Sequence, residues 1–547
     1  MQNEDGVQDE DTRDAAPLDD PYAETEKATG AHHAPFDLFI IGGGVNGCGI
    51  ARDAAGRGLT VALAEAGDLA GATSSASSKL LHGGLRYLEY FELRLVRESL
   101  AEREVLLRAM PHIAHPMRFI LPLDPDMRFD TATPASRVLG LVMPWLKGRR
   151  PSWLIRAGLW AYDHMGKREI LQGTTTLDLK RTPEGVGLDR RLTRAFEFSD
   201  VWVDDARLVV LNAKDAARQG AEIMVRSRVQ HAARDGKLWR IEMSDGRVFH
   251  ARGLVNAAGP WVSKVLSSVL GRNDPRTVRL VRGSHIVTHR LFDHDKAYFL
   301  QGKDGRIVFM IPYERDFTMI GTTEAAHEGD ARGAKPSAKE IDYLIDFANQ
   351  YLDTPISPAD IVHRFAGVRP LIEDGGGNAT AASRDYTLEL DAEGPPLLSV
   401  FGGKITTYRK LAEAALGQLA PYLTMSAPWT EETPLPGGYT PGRKAAQVRG
   451  LMESMPFLTR AEALRLVTLY GRDAADIFID VVGPTDMGRH FSHGVTEAEL
   501  RYLVREEFAR TAEDILWRRT KLGLVMTPQE QQEIADWLRE NLAEVLG

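Results

Sequence analysis

The 547-residue chain has a single cysteine, Cys48, and that scarcity removes several kinds of chemistry. An intramolecular disulfide, a Cys-ligated iron–sulfur cluster and a Cys-rich zinc site are all excluded, so any redox work needs an organic cofactor or a non-thiolate metal. Also missing is a run of the ~18–20 apolar residues with which a helix crosses a bilayer. The first residues have neither the basic start nor the apolar core of a secretory signal. With a lone thiol, this points to a reducing compartment, the cytoplasm or its membrane surface. Net basic charge is absent too. The formal charge is −9, and residues 1–35 hold ten acids against Arg13 and Lys27, a balance of −8 that leaves −1 for the rest. Such a chain lacks the cationic footprint of a nucleic-acid-binding domain, and no nucleic acid is expected as a partner.

The remaining composition is that of an ordinary globular protein, with 43% hydrophobic and 26% charged residues, enough to bury a large core. Residues 1–35 have few apolar side chains and are expected to form a disordered acidic leader. Order should begin at FDLFII (Phe36 to Ile41), a strand-length apolar run that meets Gly42-Gly43-Gly44-Val45-Asn46-Gly47. The helical stretch GIARDAAGRG and a second apolar run, LTVALAE, ending at Glu65, complete a strand, turn, helix, strand unit. Strand-like pairs flank Asp245-Gly246 and Glu314-Arg315-Asp316, so residues 220–330 should be rich in hairpins and antiparallel sheet. Residues 427–442, APWTEETPLPGGYTPG, carry four prolines and three glycines and read as a linker. Beyond it, Thr459 with Glu462, Thr496 with Glu499 and Thr527 with Glu530 fit capping boxes, so 443–547 should be a helical domain.

Gly42, Gly44 and Gly47 form G-x-G-x-x-G directly after a strand, and Glu65 lies at the end of the next one. The spacing predicts dinucleotide binding: the glycines allow a tight turn and close pyrophosphate approach, the helix N-terminus faces the phosphates, and Glu65 can accept ribose hydroxyl bonds. Cys48, one residue further on, is expected to pack within this helix. Two more segments end in small residues where backbone can approach a ligand: GLVNAAGPW, with Gly259, and SVFGGKITTYRKLAEAAL, with Gly402 and Gly403 ahead of a helix beginning near Thr406. A single nucleotide fingerprint backed by two distant glycine segments suits a cofactor that spans a domain.

TSSASSKLLHGGLRYLEY (73–90), GLVNAAGPW, RGSHIV, GVRPL, SRDYTLEL, VFGGKITTYRKLAE and the C-terminal WRRTKLGL occur in order over most of the chain. Together they resemble the FAD-dependent aerobic (respiratory) glycerol-3-phosphate dehydrogenase family. The resemblance implies FAD as cofactor and oxidation of sn-glycerol 3-phosphate to dihydroxyacetone phosphate, with electrons passed to membrane quinone. It also implies an α/β plus α+β architecture: a Rossmann-like FAD-binding domain with an interleaved antiparallel-sheet substrate domain over 36–426, then the linker and the helical domain. By the same resemblance Arg86, Tyr87 and Arg384 bind substrate, Thr407 makes a polar contact, and Lys404 sits between substrate and flavin, beside Ile405. Thr73, Ser74, Ser75, Ser77 and Ser78 line the cofactor.

The residues meet these demands independently. A phosphate dianion needs several cationic donors, and Arg86, Arg369, Arg384 and Lys404 all fall in matching motifs. Oxidising a secondary alcohol removes a hydride from carbon and a proton from oxygen, so a base belongs beside the flavin; His285 and His82 are the candidates, and Arg369 could stabilise the developing oxyanion. Asp204-Asp205, next to Arg207, reads as a salt-bridged helix start, and no metal is assigned. Between 138 and 168, Trp145, Trp153 and Trp160 alternate with Lys147, Arg149, Arg150, Arg156, Lys167 and Arg168, the pattern of an interfacial segment on anionic lipid. That favours a peripheral association with the cytoplasmic membrane. Two alternatives stay open at this stage: an oxidase of the same architecture that uses oxygen, and a flavoprotein sensor without turnover. So does the oligomeric state, for which a homodimer is one option.

Overall fold

The unit expected around the glycine turn is present as the strand Phe36–Ile41, the helix Val45–Gly56 and the strand Val61–Ala64. The structure, a computed structural model, describes residues 34–547 apart from 86, 87, 89, 90, 125, 126, 129–150, 167, 273–277 and 373–385. The last four residues of Phe36–Ile41 are buried, as a parallel strand covered on both faces requires. To one side run Val61–Ala64 and Glu222–Met224; to the other run Val248–Asn256 and Leu397–Phe401, all parallel. Thr387–Asp391 adds an antiparallel edge, and the hairpin Val229–Asp235 with Leu238–Met243 joins the first half of Val248–Asn256. Strand order reverses at Phe36–Ile41, and the crevice at the carboxyl ends of the strands on either side is where this architecture binds ligands.

A second sheet, largely antiparallel, is built on the long pair Val278–His289 and Ile361–Ile372, continued by Phe317–Gly321, Ile307–Tyr313 and Ala297–Gln301. It extends through Ala114–Pro122 to Arg194–Val203. The hairpins expected over 220–330 are therefore divided: the one around Asp245-Gly246 belongs to the nucleotide sheet, and the one around Glu314 to the second.

The fingerprint helix packs against Asp205–Arg218 and Tyr408–Leu419, burying Cys48, Ile50, Ala51 and Ala54 completely. Burial pushes the Cys48 thiol far above its ordinary pKa, so it packs rather than reacts. Residues 427–442 form no helix or strand, but they are not loose. Trp429 donates its indole N–H to the Asp53 carbonyl at 3.2 Å, Arg52 lies 4.8 Å over the Trp429 ring and bonds the Thr433 carbonyl, and Leu435 is buried.

After this segment come the helices Lys444–Ser454, Arg460–Tyr470, Glu497–Glu506 and Pro528–Leu546, around their own core of Leu466, Val467, Leu503, Trp537 and Leu538. Thr459 with Glu462 and Thr527 with Glu530 are complete capping boxes. Thr496 makes only half of one, because the Glu499 carboxylate turns inward to Arg465 and the Tyr470 hydroxyl. Buried ion pairs seat this body on the rest: Asp68 with Arg519, Asp204 with Lys521 at 2.9 Å, Lys214 with Asp473 at 3.0 Å, and Arg207 with Glu507. The last pair corrects the expectation for Arg207, whose guanidinium leaves the neighbouring aspartates and crosses to the helical body.

Arg207 and Glu507 are both fully buried, so removing one leaves the other charged without a partner. Glu507→Ala is expected to cost about 3–5 kcal/mol of stability in urea unfolding; a loss below about 1 kcal/mol would show that Arg207 finds another acceptor.

Candidate active site

A cavity of about 1710 Å³ opens along the carboxyl ends of the parallel strands and runs to the second sheet. Single small-molecule sites usually span roughly 300–1,000 Å³, so this one has room for a dinucleotide and a second ligand.

Its nucleotide end is built by the glycine turn. Gly42 has φ +111°, and a Cβ there would lie 2.6 Å from the Ala257 carbonyl oxygen. The helix beginning at Val45 has no acidic residue in its first turn, so its positive end stays uncompensated and faces the cavity with Gly44, Val45 and Asn46. Ser74 Oγ accepts the Val45 N–H at 3.1 Å, and the buried Asn46 Oδ1 has no partner among the described residues. Glu65 ends the second strand, where burial raises its carboxyl pKa; its oxygens accept the Gly43 and Gly67 N–H groups at 2.7 Å. Its role is thus wider than expected, bracing the turn while each oxygen keeps a lone pair for a ribose hydroxyl. An uncompensated helix end, an orphaned acceptor and a carboxylate at the strand tip fit the pyrophosphate and ribose of FAD.

Further along, Gly259, Gly402, Gly403, Lys404 and Ile405 line the cavity together with Thr73, Ser74, Ser77 and Ser78. Three expected residues stand back from it. Gly47 serves helix–strand packing, Ser75 gives its carbonyl to Lys79 and its hydroxyl to Ala72, and Thr407 is buried one position beyond Thr406, which does face the space. The hydroxyl loop is pinned by a pair that sequence reasoning passed over: Asp205 accepts from Ser77 Oγ and from Lys79 Nζ, both at 2.7 Å. Asp205 looked like a helix-start acid because its partner lies 126 positions away.

At the second sheet, His82 and Arg369 line the cavity. Arg369 donates to Thr322 Oγ1 at 3.3 Å. His285, expected as a base beside the flavin, does not itself line the space. It is 1% exposed, stacks on Phe365 at 4.8 Å, and meets the cavity through Ser78, whose Oγ lies 2.9 Å from its Nε2. Burial, then the charges of Arg369 and Lys79, hold its imidazole well below the usual pKa, so it is neutral. Arg518, from the C-terminal body, also reaches the cavity and was not foreseen; the adjacent arginines of WRRTKLGL were its only sequence signal. Arg86, Tyr87 and Arg384 lie outside the described residues.

Residues 37–409 match the family model of the FAD dependent oxidoreductases. The chain belongs to that family. Residues 428–547 match a second model, the C-terminal domain of alpha-glycerophosphate oxidase. Among curated relatives of this oxidoreductase, the D-erythritol 1-phosphate dehydrogenase of Brucella abortus is 48% identical over 92% of this chain and 97% of its own. The aerobic glycerol-3-phosphate dehydrogenase of Escherichia coli is 46% identical, again over 92% of this chain and 97% of its own. In structure the oxidoreductase shares its fold with the glycerol-3-phosphate dehydrogenase from Bacillus halodurans, solved with FAD, at a TM-score of 0.65 and 22% identity, covering 94% of this chain and 95% of that one.

The low pKa of His285 sets a pH dependence. Unfolded, the imidazole takes a proton below about 6.5; folded, it stays neutral until well below that, so the unfolded state binds more protons and stability falls as pH drops through this window. Between pH 7.5 and 5.5 the His285 contribution is about 1.3 kcal/mol. His285→Gln should lose less stability than the parent by that amount over the same interval; equal losses would mean that His285 is protonated in the fold.

Proposed function

We propose that the enzyme oxidises sn-glycerol 3-phosphate to dihydroxyacetone phosphate and passes the electrons to membrane quinone. The observation that carries this reading is the meeting of Arg369, Lys404 and His82 in one cavity with the dinucleotide-binding turn. Bound FAD supplies the hydride acceptor. The protein's share is to bind a dianion, to stabilise negative charge on the reacting oxygen, and to receive its proton. Arg369 and Lys404 supply fixed positive charge, which strengthens its hold as charge develops on oxygen. By resemblance, Arg86, Tyr87 and Arg384 hold the phosphate. His82 borders the space, and the neutral His285 is reached through Ser78, so proton acceptance falls to these two.

A second reading has its own support, since the relative at 48% identity is named for D-erythritol 1-phosphate. Both compounds are polyol phosphate monoesters, and both need the same cations. Adding each in turn to the anaerobic, flavin-loaded enzyme separates them. Faster bleaching of the flavin band near ~450 nm by glycerol 3-phosphate supports the first reading, faster bleaching by the four-carbon phosphate reassigns the substrate, and no bleaching by either overturns both. Reoxidation rapid with a quinone analogue and slow with oxygen identifies a dehydrogenase; the reverse identifies an oxidase.

Quinone dissolves in lipid, which gives the enzyme a reason to sit on the membrane. No helix among the described residues is long and apolar enough to cross one. The helix Ser152–Met165, however, turns Trp153 (51% exposed) and Trp160 (61% exposed) outward from one face, with the exposed Arg156 beside them donating to the Thr174 carbonyl at 3.2 Å, while Leu159 and Tyr162 are buried on the other. It packs beside Leu93–Ala109, whose first residue and nearby Phe91 are also exposed. We assign this surface to peripheral contact with anionic lipid on the cytoplasmic side. Trp153→Ala with Arg156→Ala should lower partition onto phosphatidylglycerol vesicles roughly tenfold and leave activity with a soluble dye unchanged. Unaltered partition would remove this helix from the contact.

A further inference from the structure

We propose that Arg518, a residue of the C-terminal helical body, belongs to the FAD site and closes its nucleotide half. The inference rests on the cofactor assignment and not on the choice of substrate. Arg518 sits on the helical turn Asp514–Arg519 and borders the cavity at the end formed by Glu65, Gly67 and Asp68. Its Nε donates to Asp68 at 2.5 Å, one Nη to Glu513 at 3.0 Å and the other to Asp514 at 2.7 Å. A guanidinium carries five N–H groups, so two are left for a ligand.

The surroundings hold this guanidinium still. Arg519, fully buried, grips both oxygens of the same Asp68 at 2.6 and 2.8 Å. Arg226 donates to Asp514 at 3.2 Å, while its backbone N–H bonds the Gly67 carbonyl at 2.8 Å. The loop after Glu65 is thus clamped between a strand tip of the nucleotide sheet and the C-terminal turn. The charges balance: Arg226, Arg518 and Arg519 against Asp68, Glu513 and Asp514. A neutral cluster presenting directed N–H donors suits the uncharged acceptors of adenosine, its ribose oxygens and ring nitrogens, while the phosphates fall to the uncompensated helix end at Val45. The nucleotide half is complete only when the C-terminal body is seated.

The test separates a cofactor contact from a docking contact. Arg518→Ala should raise the FAD dissociation constant, read from flavin fluorescence on dilution of the holoenzyme, roughly tenfold. The apoprotein loses the Arg518 ion pairs and should melt lower, and the rise in Tm on adding FAD should shrink as well. ADP, used as a probe of the nucleotide half alone, should bind the variant more weakly than the parent by about the same factor as FAD, in its own inhibition constant. If Arg518→Ala does not fold, Arg518→Lys keeps the charge opposite Asp68 and Asp514 but loses the fork, and the same shifts are expected at smaller size. An unchanged dissociation constant in the folded variant overturns the proposal. So does a lower apoprotein Tm with an undiminished rise on FAD, which would make Arg518 a docking residue only.

Discussion

A methyl group on Gly47 would lie 1.9 Å from the Gly42 carbonyl oxygen, and the rest of the site depends on that absence of a side chain. Any larger residue would lift the helix Val45–Gly56 away from the strand Phe36–Ile41. The helix end would then no longer sit at the carboxyl edge of the sheet, where Val45 reaches Ser74 and the Asn46 amide reaches the Gly402 carbonyl. Those two bonds connect the fingerprint to the hydroxyl loop and to the FGGK turn, so one close approach sets the distance between three segments that are far apart in the chain. The same helix leaves room for Tyr408 beside Gly49, which locks the turn bearing Lys404 to the turn bearing the phosphate site.

The larger bodies are registered by charge. Arg207 with Glu507, Arg519 with Asp68 and Lys521 with Asp204 are all buried pairs between the nucleotide-binding body and the helical one. Taking such ions out of water costs several kcal/mol apiece, which their attraction about offsets, so their contribution lies in allowing one seating and penalising others. An apolar interface would tolerate sliding. Here a shift of one residue would strand three cations at once, and two of the acids, Asp68 and Asp204, lie next to residues that shape the cavity: Asp68 to the loop after Glu65, Asp204 to the Asp205 that holds Ser77 and Lys79.

Local signals carried far in this chain. Strand, glycine turn, helix and second strand were legible because each has its own periodicity and because Gly42, Gly44 and Gly47 fall within six residues of one another, directly after the strand. The capping boxes at Thr459 and Thr527 are equally local. What stayed hidden was partner choice over long separations. Nothing near Arg207 shows that it will reach Glu507, 300 positions on, nor that Glu499 will abandon its box for Arg465 and Tyr470. That His285 lies behind Ser78 was equally hidden, because register between Val278–His289 and the hydroxyl loop is decided by the assembled sheet. Pairwise charge patterns reveal that an ion pair exists more readily than with whom.

The indirect position of His285 has a chemical logic under the proposed reaction. A histidine in open contact with a phosphate dianion would gain a proton as substrate binds, since an adjacent negative charge favours imidazolium, and it would then be useless as an acceptor. Behind Ser78, desolvated and near the cations Arg369 and Lys79, it is held neutral and shielded from direct contact with an anion in the cavity. Arg369, one of the cations that keep its basicity low, also lines the cavity and would favour negative charge on an alcohol oxygen there, so less basicity is needed to take the proton. A weak, shielded acceptor beside fixed positive charge lets hydride and proton leave the substrate on separate paths. Under that reaction the hydride would go to FAD bound in the cavity, and the proton would pass to His82 at the cavity face or, by way of the Ser78 hydroxyl, to His285.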